Sequence, residues 1–283
     1  MTPSPHPSLY VAPSLDTALD ALAERGAEGA PFAGGTWIMR APIRHERLRP
    51  AYVGLGRIPE LTRIEVGDSH VSIGAGVTHA RLAEALADAP DLQVLAEAAG
   101  RSANPAVRRA ATLGGNLCTS GFAAADLVPA LLCLDAEVEI RSREGTERLA
   151  LKEFLSIRQS LHPSLLLTRI LVPRSPARSA HARLPLRKAG DYPTAIVSLA
   201  VTSDDDGRVA QARIAVGSVE AVARRWTRLE AALAGAPLDA GTAHRLATEL
   251  AGEFTGRDGV EAPGWYRVSV LPALVRRAVA ALH

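Results

Sequence analysis

Apolar residues at Leu15, Ala18, Leu19 and Leu22 follow the i, i+3, i+4, i+7 spacing of an amphipathic helix that stops at Gly26. Ser14 stands where a helix cap accepts the first free amides. Residues 30–33 predict a short buried strand running into Gly34-Gly35-Thr36, where glycine permits backbone geometry closed to other residues. Alternation predicts strands over 52–55, 62–66 and 71–75, and helical spacing predicts helices over 78–87 and 92–100. A basic connector with a leading proline, residues 104–112, enters Leu113-Gly114-Gly115-Asn116-Leu117, which reads as a second glycine loop. Asp126 precedes Leu127, Leu131, Leu132 and Leu134 as an N-cap would, with Pro129 tolerated in the first turn.

Residues 137–141 and 147–151 bracket a Glu-Gly turn as a hairpin, and 165–172 form a further apolar strand closing at Pro173. Residues 173–183 are rich in Pro, Ser, Arg and Ala, which places a domain boundary there and divides the chain into 1–177 and 178–283. Beyond it, apolar runs at 195–202 and 209–216 are joined by Ser203-Asp204-Asp205-Asp206-Gly207, a hairpin tip rather than a cation site. Helical patterns at 224–234, 240–254 and 268–282 close the chain. The fold class is α+β, with a small antiparallel sheet packed by helices in the second unit.

Composition narrows the functions open to this chain. At 283 residues it exceeds the usual span of one hydrophobic core, and 47% apolar against 22% charged residues marks a folded chain. A net charge of +2 gives no field to hold a polyanion, so nucleic acid is not expected as a partner. The N-terminus lacks a signal-peptide pattern and no run approaches the roughly 20 apolar residues of a membrane span, so a cytoplasmic location is expected. Two cysteines are too few for an iron–sulfur cluster, which takes about four thiolates. Cys118 reads as a small buried hydrophobe and Cys133 as helix core. The histidines show no zinc spacing, and G-x-G-x-x-G, P-loop and G-x-S-x-G motifs are all absent. Two Gly-Gly turns after apolar stretches suggest backbone amides able to approach a diphosphate, although such turns equally often only reverse the chain.

Three blocks carry a family resemblance: Pro31-Phe32-Ala33-Gly34-Gly35-Thr36; Ala111-Thr112-Leu113-Gly114-Gly115-Asn116-Leu117 with Ala124-Ala125-Asp126-Leu127-Val128-Pro129-Ala130-Leu131; and Arg187-Lys188-Ala189-Gly190-Asp191-Tyr192. In that order and spacing the chain resembles the FAD-binding medium subunit of the molybdenum hydroxylases, the family of carbon monoxide dehydrogenase and xanthine dehydrogenase. The resemblance implies a two-part FAD domain of the vanillyl-alcohol-oxidase (PCMH) type, followed by a C-terminal domain of the carbon monoxide dehydrogenase flavoprotein type. It also implies that Ala33, Gly34, Gly35 and Thr36 wrap the FAD diphosphate, that Thr112, Gly115 and Asn116 hold the diphosphate and ribityl side, and that Asp126 accepts from a cofactor hydroxyl. Leu167 and Lys188 match positions near the adenine and flavin ends, and Tyr192 one beside the isoalloxazine ring. Without the resemblance, Thr36, Thr112, Asn116 and Asp126 read as ordinary turn and cap residues.

The function implied is electron transfer: a large partner carries a molybdopterin-type molybdenum cofactor, a small partner carries [2Fe–2S] clusters, and FAD on this chain passes electrons to an external acceptor in a dimer of heterotrimers. No side-chain acid or base is required. Two alternatives stay open: a self-sufficient flavoenzyme of the same fold, and a scaffold subunit that has lost the flavin. Trp37 and Gly121-Phe122 depart from the family pattern beside the two glycine turns.

Overall fold

The computed structural model describes residues 7–186 and 192–282. Helix α1 (Leu15–Arg25) forms as the spacing predicts. Ser14 Oγ accepts from the Thr17 amide at 3.3 Å while Thr17 Oγ1 accepts from the Ser14 amide at 3.1 Å, a reciprocal cap that satisfies two free donors. Its apolar face covers a three-stranded parallel sheet of order β1-β3-β2, made of β1 (Ser8–Val11), β2 (Gly29–Phe32) and β3 (Ala51–Gly54). The sequence gives no signal for β1, because Leu9, Tyr10 and Val11 are all exposed on an edge strand and show no alternation.

The second sheet has order β4-β5-β8-β6-β7: β4 (Ile64–Val66), β5 (His70–Gly74), β6 (Glu137–Arg141), β7 (Thr146–Ala150) and β8 (Leu166–Pro173), with antiparallel pairing throughout. The strand expected from residue 62 starts at Ile64, because Pro59–Thr62 turns as a short 3-10 helix. Between β5 and β6 run α2 (His79–Ala85), α3 (Gln93–Arg101), α4 (Pro105–Arg108), α5 (Leu113–Cys118) and α6 (Leu127–Cys133), and α7 (Leu151–Ile157) follows β7. The basic connector is therefore partly helical, with Asn104 Oδ1 capping the Val107 amide at 3.0 Å and Pro105 at the first position.

Residues 178–183, expected within an irregular boundary, form strand β9 (Arg178–Pro185), which opens a third sheet of order β12-β11-β10-β9 with β10 (Pro193–Ser203), β11 (Val209–Gly217) and β12 (Arg224–Arg225). Strand β9 was masked by its polar composition, yet Ser179 and His181 are buried. Strand β10 is central and covered on both faces, which explains its continuous apolar run. Ala195, Val197, Leu199 and Val201 face the core formed with α8 (Thr227–Leu233), α9 (Ala240–Leu250) and α11 (Leu271–Ala280), while Ala200 joins the core around α3 and α6. The helix expected from residue 224 begins instead with β12, because Arg224 and Arg225 pair with β11 before Trp226 turns into the core. The last expected helix is two, α10 (Gly264–Ser269) and α11, broken at Val270 with Pro272 in the first turn of α11.

The first and last parts of the chain are tied at several points. Ser179 Oγ on β9 accepts from the Val94 amide at 3.1 Å, and Arg183 Nε on the same strand donates to Asp126 Oδ1 at 2.8 Å. Gly217 lies so close to α6 that a Cβ there would stand 2.9 Å from Pro129 Cγ. These contacts set β9 and β11 against the first part, and Arg40 donates to the Tyr192 hydroxyl at 3.0 Å.

Candidate functional site

Strand β2 delivers the chain into the first glycine turn. Gly35 has φ +69°, the left-handed region that favours glycine, and a Cβ there would stand 2.7 Å from Phe32 Cζ. Gly34 needs its hydrogen for a different reason: a Cβ would lie 1.8 Å from the Ala110 carbonyl oxygen. The first turn thus rests backbone to backbone on the segment that enters α5, and the two motifs, far apart in sequence, meet in space. Among the described residues no group accepts from the amides of Gly34, Gly35 and Thr36. Open amides beside a cavity are what an anionic ligand needs.

The second motif is not a loop. Thr112 caps α5, its Oγ1 accepting from the Gly115 amide at 3.1 Å. The Leu113 and Gly114 amides donate to the carbonyls of Val77 and Ala75 at 2.9 and 2.7 Å, and the Asn116 amide donates to Thr112 O at 3.0 Å. Gly114 is packed so tightly that a Cβ would meet the Ala75 Cβ at 2.8 Å. These amides are spent within the protein, so the second motif presents side chains and a close-packed wall, and the open amides belong to the first.

Asp126 does not cap α6. Its side chain makes no cap hydrogen bond; instead Asn116 Oδ1 accepts from the Leu127 amide at 3.3 Å. The Asp126 carboxylate is 5% exposed and accepts from Arg183 Nε at 2.8 Å, with His181 Nε2 3.9 Å away. Sequence reasoning placed the acid at the right spot for a cap, but a cation from β9 outbids one neutral amide once both are buried.

The aromatic side chains that break the family pattern lie together. The Trp37 and Phe122 rings are 4.9 Å apart, Phe122 and Tyr192 5.2 Å, and the Arg44 guanidinium lies 3.8 Å from the centre of the Trp37 ring. Arg40 donates to the Tyr192 hydroxyl at 3.0 Å. Trp37 follows the first glycine turn, Phe122 follows α5 and Tyr192 precedes β10, so three separate parts of the chain contribute to one aromatic wall.

All of this surrounds one cleft of about 730 Å³. Ala33, Gly34, Gly35, Thr36, Thr112, Gly115, Asn116, Asp126, Leu167 and Tyr192 all line it. Lys188 lies outside the described residues. Sequence reasoning missed His79, which also lines the cleft. This imidazole is 3% exposed, Nδ1 is 2.7 Å from Ser102 Oγ, and burial holds its pKa down to about 4, despite the nearby Asp126 carboxylate. The antiparallel bridge between Thr78 and Thr112 brings it there, a long-range pairing that its own helical context does not signal. Arg158, also missed, lines the cleft and donates to the Leu117 carbonyl, with burial lowering its pKa. Cys118, expected to be buried, is exposed at the cleft, whereas Cys133 is core. Among the described residues, no three His, Cys, Asp or Glu side chains are grouped to hold a metal, and no helix is long and apolar enough to cross a membrane.

Comparison with known proteins gives this cleft its context. The family model for the FAD binding domain in molybdopterin dehydrogenase matches residues 5–175, and that for the CO dehydrogenase flavoprotein C-terminal domain matches residues 181–282. The 6-hydroxypseudooxynicotine dehydrogenase complex subunit alpha of Paenarthrobacter nicotinovorans is 33% identical, over 96% of this chain and 93% of its own. The carbon monoxide dehydrogenase medium chain of Afipia carboxidovorans is 30% identical, over 94% of this chain and 93% of its own. A chain of the crystal structure of the Cu,Mo-CO dehydrogenase in its cyanide-inactivated form superposes with a TM-score of 0.89 at 26% identity, covering 100% of both chains.

Proposed function

The chain belongs to the FAD-binding medium subunits of the molybdenum hydroxylases, and from that premise we propose that the cleft between the two glycine motifs holds one FAD through which this subunit transfers electrons. The observation that carries this reading is the convergence of both motifs on one cleft, with the amides of Gly34, Gly35 and Thr36 left open along it. Those amides, with Ala33 and the Thr36 hydroxyl, suit the diphosphate, because close backbone approach and N–H donors are what its oxygens require. Thr112, Gly115 and Asn116 line the same cleft, and Leu167 adds apolar surface for the adenine end.

Bound FAD supplies two-electron chemistry that can be divided into single-electron steps. The residues of this chain bind the cofactor, orient it and screen it from water. Asp126, paired with Arg183 at the cleft wall, accepts from a cofactor hydroxyl. The wall of Trp37, Phe122 and Tyr192 offers ring faces to the isoalloxazine end and controls access to it. Lys188, outside the described residues, is assigned to the flavin end by the family resemblance alone.

In the complete enzyme a large subunit with a molybdopterin-type molybdenum cofactor oxidises the organic substrate. A small subunit with [2Fe–2S] clusters relays the electrons, and this chain delivers them to an external acceptor, in a dimer of heterotrimers. The sequence has two cysteines, which fits clusters carried by a partner. The visible spectrum of the purified chain, with release and chromatography of its flavin, tests the reading: about one FAD per chain is expected, and a colourless chain that takes up no added FAD would overturn it.

A further inference from the structure

His79 is the first residue of α2 and forms part of the cleft, where its Nε2 is buried and receives no hydrogen bond from the described residues. Its partner on the other side fixes what that nitrogen is. Ser102 Oγ lies 2.7 Å from His79 Nδ1 and 2.9 Å from the Ala99 carbonyl oxygen. A carbonyl only accepts, so with the hydroxyl proton directed to Ala99, Ser102 accepts from Nδ1–H, and the Thr112 carbonyl near the ring makes no hydrogen bond of good geometry with Nε2. A neutral imidazole carries one N–H, which leaves Nε2 as a bare lone pair. Burial keeps the ring neutral well below physiological pH, so no proton occupies that lone pair. The same nitrogen cannot serve a phosphate, whose oxygens bring no proton.

We infer that His79 Nε2 accepts a hydrogen bond from a hydroxyl of the flavin cofactor, on the ribityl chain or the adenosine ribose, and so is a further binding residue of this cleft. The inference rests on the FAD reading above. A buried acceptor without a donor costs stability, and a hydroxyl placed at Nε2 removes that cost only when cofactor is present, which converts it into affinity. His79 sits beside the motif it would assist: its amide donates to the Ala111 carbonyl at 3.0 Å, one residue before Thr112.

The full chain stripped of flavin and titrated with FAD provides the test, with fluorescence reporting binding. His79→Phe keeps a planar ring and removes the acceptor, and about tenfold weaker binding is expected, the ratio one hydrogen bond supplies. His79→Gln, whose Oε1 can accept in place of Nε2, is expected to stay within about threefold of wild type. FMN and ADP used as competitors separate the two hydroxyl sources: the fragment whose affinity falls in His79→Phe carries the hydroxyl. Unchanged FAD affinity in His79→Phe overturns the inference, which is the result if a water molecule satisfies Nε2. Should the variant not fold, the imidazole 15N spectrum of the wild-type chain decides. An unprotonated Nε2 resonance that moves on FAD addition supports the assignment, and a protonated or unmoved one overturns it. A wild-type chain that takes up no FAD sinks the flavin reading itself, and the inference with it.

Discussion

Arg183 Nε donates to Asp126 Oδ1 at 2.8 Å, so the acid at the head of α6 is bound to β9 in the third sheet rather than to the helix it precedes. Asp126→Ala removes that acceptor while keeping the backbone, and a loss of about 2 kcal/mol in urea unfolding is expected, the range for a hydrogen bond to a charged group. A double-mutant cycle with Arg183→Ala should show a coupling energy above about 1 kcal/mol. Additive effects would mean that the pair does not act as a unit.

Gly34→Ala is expected to be among the most damaging single-methyl changes in the chain. The new Cβ would lie 1.8 Å from the backbone oxygen of Ala110, and backbone cannot swing aside as a side chain can. A loss of about 3 kcal/mol is expected, together with failure to retain FAD. Gly121→Ala is the control, because a Cβ there meets nothing within 4 Å. Equal melting temperatures for the two variants would refute the account of Gly34.

His79 makes stability depend on pH in a definite direction. Its pKa falls from the ordinary 6.5 to about 4 through burial, so between those values the unfolded chain binds the proton and the folded chain does not. This contribution is fully present above pH 6.5 and is lost as pH drops towards 4, by up to about 3 kcal/mol. His79→Leu should flatten the stability profile across that window. An identical slope in wild type and variant would assign the acid sensitivity to other groups.

Parts of the fold and of the cleft were legible because their elements are local. The run from Leu15 to Leu22, the glycine pairs and the cap at Ser14 all show themselves within a few residues. What was not legible depends on partners distant in sequence. Whether Asp126 caps a helix or pairs with a cation depends on Arg183, and whether residues 113–117 loop or coil depends on the carbonyls of Ala75 and Val77. His79 looked like any residue opening a helix until the bridge between Thr78 and Thr112 set it in the cleft wall. Strand β9 hid for a related reason: Ser179 and His181 are buried polar residues that hydrogen-bond with Asp91, Val94 and Ser198, none of them near in sequence.

Trp37 gives an optical report on the cleft that the other two tryptophans do not. Trp226 is fully buried against Phe254 in the C-terminal core, and Trp265 is 72% exposed beside Tyr266. Trp37 instead lines the cleft directly after the first glycine turn, 4.9 Å from Phe122. A flavin bound there accepts excitation from a nearby indole, so adding FAD to the stripped chain should quench a distinct part of the emission. Trp37→Phe should abolish most of that quench and keep an aromatic ring against Phe122, with FAD affinity changed by less than about threefold, because no hydrogen bond is lost. Persistence of the full quench in Trp37→Phe would show that the flavin lies nearer another tryptophan and would move the isoalloxazine away from the aromatic wall. A quench lost together with more than about tenfold in affinity would make Trp37 itself a principal binding surface for the ring.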